Sequence, residues 1–311
     1  MDLVGGDAVN QRLLAPKQAV SGEVLAALWS FEQTVVVLPG LGALQNAGNL
    51  LQKVRGAFGD ALLAGASEPV RAHQPCNWHP PCAAEVFFGR KPCLRVAAHD
   101  SEIPKPFVLS SERVNQDLHV KLAVFGFASA WARATSLALA EALRNRVLWA
   151  KMAKDLSVFL PKRIELGSMR SCGCHGLGLG SAPAALRMDF HSPVDAERGS
   201  AFEQPEILLR RLLRRVALLA RWHDVDLEAD WDALEKAIGG IQVNFLDYAG
   251  PADGRARRRG GHRLKNRLIE LPSLELSGDI HLLWPYIAIG ETAHIGRGAS
   301  LGLGRYRLTP A

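Results

Sequence analysis

The sequence predicts an α+β protein built from two tandem ferredoxin-like domains with antiparallel sheets, together with a helical insertion. The chain has 311 residues, which exceeds the usual size of a single core. Its first half carries strand and helix patterns in the order strand, helix, strands, helix, strand, which is the order of a split βαβ unit. Its second half repeats that order, and a repeated order indicates a tandem repeat of one fold.

The predicted first domain covers residues 1–172. Its first strand is QTVVVLPG, rich in valine, and a helix with apolar residues at three- and four-residue steps follows at about 46–63. Residues 66–106 predict loops and a hairpin that includes AAEVFFG and CLRVAAH, and PKPFVLS and LHVKLAVFG predict further strands. The helical segment at about 127–156 is longer than the unit requires, so it is the predicted insertion, and PKRIELGSM predicts the last strand.

The predicted second domain covers residues 183–311, after the glycine-rich stretch CGCHGLGLGSAP. ALRMDFHSPV predicts its first strand, and the amphipathic pattern at 205–225 predicts a helix. GGIQVNFLDYAG, HRLKNRLIELPSLEL and GDIHLLWP predict strands, YIAIGETAH a short helix and GRYRL the closing strand. The order of strands and helices predicted for the first domain is thereby repeated.

Composition excludes several classes of protein. With 48% hydrophobic residues, the chain has enough apolar side chains for two cores, which excludes intrinsic disorder. An odd number of cysteines, 5, does not make a disulfide framework, and the N-terminus lacks a charged region followed by an apolar run. No window reaches the roughly 18 apolar residues of a membrane span. We expect a reduced, cytoplasmic protein, and its net charge of +6 is compatible with a polyanionic partner.

The ending HIGRGASLGLGRYRL, residues 294–308, is the most unusual stretch of the chain. Its glycines follow a predicted helix and run into the last strand, so they fit neither a dinucleotide fingerprint nor a P-loop. Bare backbone amides flanked by arginines could lie against a phosphodiester chain. A set of tight turns with a purely structural role remains the alternative.

The segment GDIHLLWPYIAIGETAHIGRGASLGLGRYRL resembles the carboxy-terminal signature of the CRISPR precursor-RNA processing endoribonucleases of the RAMP superfamily. In that family a strand, a short helix and a histidine lead into a G-x-G-x-x-x-G-x-G loop. The stretches VRGAFGDALL, PKPFVL, LAVFGFA, MDFHSPV and LLRRLLRRVALLARWHD are similar to other parts of the family. These matches run in order from about residue 31 to 308.

The resemblance implies two tandem ferredoxin-like domains, of the RAMP or RRM-like kind, that bind a CRISPR repeat RNA and cut it once to give mature crRNA. Such an enzyme needs neither a metal nor a cofactor. A ribose 2′-hydroxyl attacks the adjacent phosphate and leaves a 2′,3′-cyclic phosphate and a 5′-hydroxyl. The implied partners are the CRISPR repeat RNA, which stays bound as crRNA, and other Cas effector-complex subunits, with no membrane and no direct contact to DNA.

This reaction needs proton transfer and positive charge beside the phosphoryl oxygens. Family members often carry a histidine on or just before the first helix, but this sequence has none between Met1 and Gly65. We therefore predict that His294 is catalytic and that Lys53 and Arg55 stabilise the transition state. Two alternatives stay open: arginines alone support slow single-turnover cleavage, or only RNA binding remains. The missing early histidine would suit a divergent branch such as type IV.

Two basic groups of residues are predicted to bind RNA phosphates, and each contact would add to the salt sensitivity of binding. The first group belongs to the glycine-rich ending and consists of Gly296, Arg297, Gly298, Gly302, Gly304 and Arg305. The second group lies in GRARRRGGHR between two predicted strands and consists of Arg255, Arg257, Arg258, Arg259 and Arg263.

A zinc site is a competing use of the cysteines. His73, Cys76, His79 and Cys82 supply four nitrogen or sulfur ligands, with Cys93 further on. The spacing C-x5-C is not that of a standard knuckle, so no metal is included in the predicted site. Two other functions stay open: a non-catalytic RAMP subunit that holds crRNA, and a metabolic enzyme whose terminal loop binds a nucleotide phosphate.

Overall fold

The computed structural model describes residues 5–46, 50–144, 165–166, 170–172, 179–195, 204–246, 268–269, 271 and 273–310. Two predictions fall outside this part of the chain. One is the end of the helical insertion, from 145 to 156. The other is the second basic group, Arg255, Arg257, Arg258, Arg259 and Arg263.

The described chain contains both helices and strands. The helices are α1 (Gly5–Leu14), α2 (Gly22–Leu28), α3 (Leu50–Ala64), α4 (Glu68–Arg71), α5 (Ala83–Phe88), α6 (Ala132–Arg144), α7 (Glu206–Ala220), α8 (Trp231–Gly240) and α9 (Trp284–Ala293). The strands are β1 (Gln18–Val20), β2 (Phe31–Leu38), β3 (Cys93–Val96), β4 (His99–Glu102), β5 (Phe107–Val114), β6 (Asp117–Phe125), β7 (Glu165–Leu166), β8 (Arg170–Cys172), β9 (Ala185–Phe190), β10 (Val194–Asp195), β11 (Val225–Leu227), β12 (Gln242–Phe245), β13 (Leu268–Ile269), β14 (Leu274–Ser277) and β15 (Tyr306–Pro310).

The first large sheet has the strand order β5-β6-β2-β7, with β8 also paired to β2. Neighbouring strands are antiparallel throughout. Strand β6 lies between β2 and β5 and is antiparallel to both, so β2 and β5 point the same way. The connection between them is a crossover that contains α3. With α6 between β6 and β7, this is the ferredoxin-like topology that the sequence predicts.

The second large sheet repeats this arrangement with the strand order β12-β14-β9-β15. Its neighbouring strands are again antiparallel. The helix α7 follows its first strand β9, and α9 precedes its last strand β15. The equivalent strands thus occupy equivalent positions in both sheets, and the predicted α+β fold of two tandem ferredoxin-like units is confirmed. Below, these are the first and second unit; the exact domain boundaries, 1–172 and 183–311, stay a prediction.

The N-terminal segment before β2 packs against the second unit. Strand β1 pairs in parallel with β11, and Arg12 Nε donates to Asp224 Oδ1 at 2.6 Å. Trp29 Nε1 donates to Thr292 Oγ1 at 2.9 Å. The buried apolar residues of both units form one continuous cluster. The two units are therefore joined by packing as well as by the chain.

Two predicted strands are wrong. AAEVFFG forms the helix α5, in which Val86 and Phe87 are buried. A short apolar run does not distinguish a strand from a buried helix, and alanine and glutamate favour the helix. GDIHLLWP forms a turn that enters α9, because Trp284 N donates to Ile280 O at 2.8 Å.

The helix predicted within 127–156 is present in the described residues, whereas the predicted insertion stays a prediction. Residues Gly126–Trp131 form a 3-10 turn, and α6 follows as the second helix of the unit. No helix in the described part of the chain is long and apolar enough to cross a membrane.

Candidate active site at the junction of the two units

The glycine-rich loop between α9 and β15 packs on the first unit. A Cβ atom at Gly302 would lie 2.4 Å from Leu51 Cδ1 on α3 and 2.6 Å from Leu109 O on β5. Strand β5 forms one edge of its sheet, so the loop covers a strand edge that would otherwise be open to pairing. The backbone of Gly302 also has φ +78°, which residues with a side chain rarely adopt. Glycine at this position allows the two units to approach closely.

The amides at the end of this loop bond within the protein. Gly302 N donates to Ala299 O at 2.9 Å, and Gly304 N donates to Pro193 O at 2.8 Å. Both residues are buried, whereas Arg297 at the start of the loop is exposed. Gly296 and Gly298 beside it are half-buried. The accessible surface of the loop is therefore centred on Arg297.

His294 connects α9 to the loop and is 4% exposed. Its backbone has φ 60° and ψ 164°. Burial, followed by the charges of Arg215 and Arg305, lowers the pKa of His294 to about 3. The Nδ1 atom is buried without a hydrogen-bond partner among the described residues. The imidazole is thus neutral at physiological pH and covered from solvent.

Arg215 on α7 lies beside this histidine. Its Nε donates to Ala293 O at 2.8 Å, one residue before His294. The Nη2 atom is buried, with no hydrogen-bond partner in the part of the chain that the structure describes. Burial lowers the pKa of Arg215 to about 10, so the side chain remains a cation at neutral pH. A buried positive charge therefore lies at the end of α9, where the loop begins.

Arg305 ties the loop to the first unit through its side chain. Its Nη2 donates to Glu112 Oε2 at 3.1 Å and its Nη1 to Ser111 O at 3.2 Å. Glu112 also forms an ion pair with Lys121. Burial would raise the pKa of Glu112, but the hydrogen bonds and charges of Lys121 and Arg305 outweigh it and lower that pKa. Glu112 therefore stays ionised between two cations.

Arg55 and Lys53 lie on different faces of α3. Arg55 follows Leu51, which packs on Gly302, by four residues, so Arg55 lies one helical turn along the same face. Its Nε is buried without a hydrogen-bond partner among the described residues, and burial lowers its pKa. Lys53 is half-buried and only two residues from Leu51, a spacing that places it on another face. Arg55 therefore shares the face of α3 that meets the loop, and its guanidinium lies over the Phe88 ring, 5.2 Å from the centroid.

The open face of the second sheet carries a connected group of polar side chains. Asp189 accepts hydrogen bonds from Arg187 Nε at 2.6 Å, Ser273 Oγ at 2.5 Å and Thr309 Oγ1 at 3.2 Å. Burial would raise the pKa of Asp189, but these bonds and the charge of Arg187 lower it. Arg307 lies opposite Asp189 in the register of β15 and β9 and is exposed.

His191 is a site residue that the sequence analysis did not single out. It directly follows β9, and its backbone N donates to Arg305 O at 2.8 Å. Its side chain is exposed and interacts electrostatically with Arg305 and Arg307. The motif MDFHSPV contained this histidine, but Arg305 and Arg307 beside it lie more than one hundred residues away along the chain. Only the folded chain places it beside the loop.

The described residues contain no cluster of three or more histidine, cysteine, aspartate or glutamate side chains that could hold a metal ion. Cys76 and Cys82 are buried, whereas Cys93 is exposed. Cys76 Sγ instead accepts hydrogen bonds from Cys82 N at 3.2 Å and from Ser67 Oγ at 3.3 Å. The arrangement of the cysteines therefore gives no support to the zinc alternative.

Residues 188–306 match the family model of the CRISPR-associated endoribonuclease Cas6. This part of the chain is called the Cas6 segment below. The Cas6 segment runs from β9 through α7 and α9 to the first residue of β15, so it contains the glycine-rich loop, His191 and His294. The matching model belongs to the same family whose carboxy-terminal signature the sequence resembles. A comparison with curated proteins found no match.

Solved structures of Cas6 proteins are similar to the chain over most of its length. A product complex of Cas6 (TTHA0078) is 16% identical, with 89% of this chain and 99% of that chain covered and a TM-score of 0.48. A product complex of Cas6 (TTHB231) is 13% identical, covers 90% of this chain and 99% of that chain, and has a TM-score of 0.45. A partial Cas6-RT-Cas1–Cas2 complex is 10% identical, covers 92% of this chain and 47% of that chain, and has a TM-score of 0.38.

Proposed function

We propose that this protein binds a CRISPR repeat RNA and cleaves the precursor transcript to mature crRNA without a metal ion. The observation that carries the proposal is the Cas6 segment, which ends in a glycine-rich loop seated on the first unit and surrounded by arginines. The products are a 2′,3′-cyclic phosphate and a 5′-hydroxyl, and the crRNA stays bound for transfer to other Cas subunits. The protein needs no cofactor for this chemistry.

The reaction exchanges one phosphorus–oxygen bond for another. The ribose O2′ attacks the adjacent phosphorus, the P–O2′ bond forms, and the P–O5′ bond breaks. A base takes the proton from the 2′-hydroxyl, and the leaving 5′-oxygen gains a proton. Cations beside the phosphoryl oxygens stabilise the charge that develops in the transition state.

Arg55 is the best-placed of the predicted electrostatic groups. It lies on the α3 face that meets the glycine-rich loop, and its Nε has no hydrogen-bond partner among the described residues. A guanidinium group presents several donors in a fixed plane, which suits the oxygens of a phosphate. Lys53 lies on another face of α3 and would contribute at longer range. RNA phosphates would also contact Arg297, which lies between Gly296 and Gly298. Gly302 and Gly304 would maintain the conformation of the loop.

The catalytic role of His294 stays a prediction, and its burial sets a condition on that role. An imidazole that is 4% exposed can meet a ribose only if RNA binding moves the loop and uncovers it. The basic segment with Arg255, Arg257, Arg258, Arg259 and Arg263 lies outside the described residues and stays a predicted RNA contact.

A second function is a crRNA-binding subunit that does not cleave. The covered His294 and the absence of any histidine between Met1 and Gly65 favour this alternative. Both functions use the same loop, so RNA affinity alone does not separate them.

A cleavage assay separates them. The full-length protein is mixed with an end-labelled transcript of the repeat from its own CRISPR array, in excess chelator. We expect one cut and a cyclic phosphate end that resists ligation until it is opened. Binding without cutting would favour the subunit, and no affinity at low salt would contradict both functions.

A further inference from the structure

The backbone of the exposed His191 is hydrogen-bonded to the glycine-rich loop. Its backbone N donates to Arg305 O, Ser192 Oγ accepts from Arg305 N, and Pro193 O accepts from Gly304 N, each at 2.8 Å. Three consecutive residues of the segment after β9 are therefore bonded to the end of the loop. These bonds fix the backbone from which the His191 side chain projects next to the loop.

The charges around His191 come from both units. Arg305 and Arg307 are the cations that face it, and Asp189 and Glu112 are the carboxylates. Both carboxylates are already engaged, Asp189 by Arg187 and Glu112 by Lys121 and Arg305. A phosphate that approached His191 would therefore find both carboxylates paired with cations and the exposed Arg307 nearby.

His191 also differs from His294 in its access to solvent. The side chain of His191 is exposed, whereas His294 is 4% exposed. Partial burial, followed by the charges of Arg305 and Arg307, lowers the pKa of His191 below its usual value of 6.5, against the smaller opposing effects of Asp189 and Glu112. The imidazole is then neutral at pH 7 and able to accept a proton.

Resting on the function proposed above, we propose that His191 is a catalytic residue that accepts the 2′-hydroxyl proton of the RNA at the cleavage site. The P–O2′ bond forms as the proton moves from O2′ to the imidazole. The P–O5′ bond breaks, and water supplies the proton that the 5′-oxygen takes up. Arg307, on the exposed rim, lies close enough to interact with the same phosphate, and the imidazolium then releases its proton to solvent.

This role has a specific dependence on pH. The rate of cleavage at low RNA concentration should rise with pH as the imidazole loses its proton, with an inflection below pH 6.5. Replacing the cation by Arg307→Gln removes a charge that disfavours the imidazolium, so the pKa of His191 should rise. The inflection should therefore move to higher pH in that variant, which a merely structural role of Arg307 would not cause.

The test compares His191→Gln with the matched control His281→Gln, an exposed histidine just before α9. Full-length proteins are assayed on the repeat transcript in excess chelator over a range of pH. We expect the rate of His191→Gln to fall about 100-fold or more, with loss of the inflection. RNA affinity and the unfolding transition should stay within about threefold and a few degrees of the unaltered protein, and His281→Gln should cleave normally.

Three outcomes would overturn the proposal. If the unaltered protein cleaves and His191→Gln cleaves within threefold of it with the same inflection, His191 is not the base although the proposed function stands. If His191→Gln loses RNA affinity by the same factor as rate, the residue binds RNA and does not transfer the proton. If the unaltered protein binds the transcript but does not cleave it, the proposed function fails and this assignment fails with it.

Discussion

His294 and Arg215 form a costly local arrangement. A neutral imidazole and a cationic guanidinium are buried next to each other, and each has one nitrogen without a hydrogen-bond partner among the described residues. Unpaired buried polar atoms cost free energy that the rest of the fold must offset. Such arrangements are more frequent at functional sites than elsewhere, which is consistent with a functional role of this junction.

The pKa of His294 makes a prediction about stability. Its folded-state pKa of about 3 lies below the unfolded value of 6.5, so acid protonates the unfolded chain first. The stability that His294 contributes is complete above pH 6.5 and is lost as the pH falls from 6.5 toward 3, at about 1.4 kcal/mol per pH unit. In urea unfolding at pH 7 and pH 5, the unaltered protein should lose about 2 kcal/mol more than His294→Asn.

Asparagine is the chosen replacement because it is polar and does not titrate over this range. Other groups with lowered pKa values, such as His223, titrate equally in both proteins and cancel in the comparison. Equal acid sensitivity of the two proteins would show that the imidazole is accessible to protons in the folded state.

Arg55 carries a prediction about rate. Arg55→Ala should slow cleavage of the repeat transcript about tenfold or more, because a cation near the transition-state phosphate is lost. Arg71→Ala, on the exposed end of α4, is the control and should leave the rate unchanged. A normal rate in single-turnover kinetics of Arg55→Ala would remove this residue from the site.

The glycines of the loop between α9 and β15 have different roles, which their pattern in the sequence does not distinguish. Gly302 allows contact with Leu51 and Leu109, and Gly304 packs with its Cβ position 2.0 Å from Ile295 O. Gly298 has φ +76° and begins the 3-10 turn. Glycines near the end of the loop therefore serve packing, and the exposed residue of the loop is Arg297.

Gly302→Ala should destabilise the protein by at least about 2 kcal/mol, because the new Cβ overlaps Leu109 O and the backbone has a positive φ. Gly239→Ala is the matched control. Gly239 lies in α8 with no atom within 4 Å of its Cβ position, so alanine there should be neutral or stabilise by up to about 1 kcal/mol. Urea unfolding measures both, and equal stabilities of the two variants would contradict the docking of the loop on β5.

Periodic segments could be predicted from the sequence, and long-range contacts could not. The helices α3 and α7 and the strands β2, β6 and β9 repeat apolar residues at regular steps, which local patterns reveal. The helix α5 is too short for its period to be recognised. The N-terminal helices α1 and α2 have partners that are distant in the chain: α2 packs on α9 and β11 of the second unit, and α1 packs on α5 and on the 3-10 turn Arg221–His223.

The same distinction applies to the site. The glycine-rich loop and its arginines stand out as a pattern in the sequence. The burial of His294 depends on Arg215, which lies 79 positions earlier in the chain, and the importance of His191 depends on its bond to Arg305. Neither relation has a local signal, so the local pattern points to the covered His294 and not to the exposed His191.

The two ferredoxin-like units form one body at this junction. The loop of the second unit covers an edge strand of the first, Arg305 binds Glu112 across the junction, and the N-terminal segment adds β1 beside β11. Cations from both units therefore face a common surface. A polyanion bound there would contact both units at once.

Crosslinking tests this shared surface most directly. A repeat RNA carries 4-thiouridine beside the cleavage site and a 2′-deoxyribose at that site to prevent cutting, and crosslinked peptides of the full-length protein are mapped by mass spectrometry. We predict crosslinks both to α3 of the first unit and to residues 294–305 of the second. Crosslinks confined to one unit, or absent from both of these segments, would contradict an RNA site at the junction.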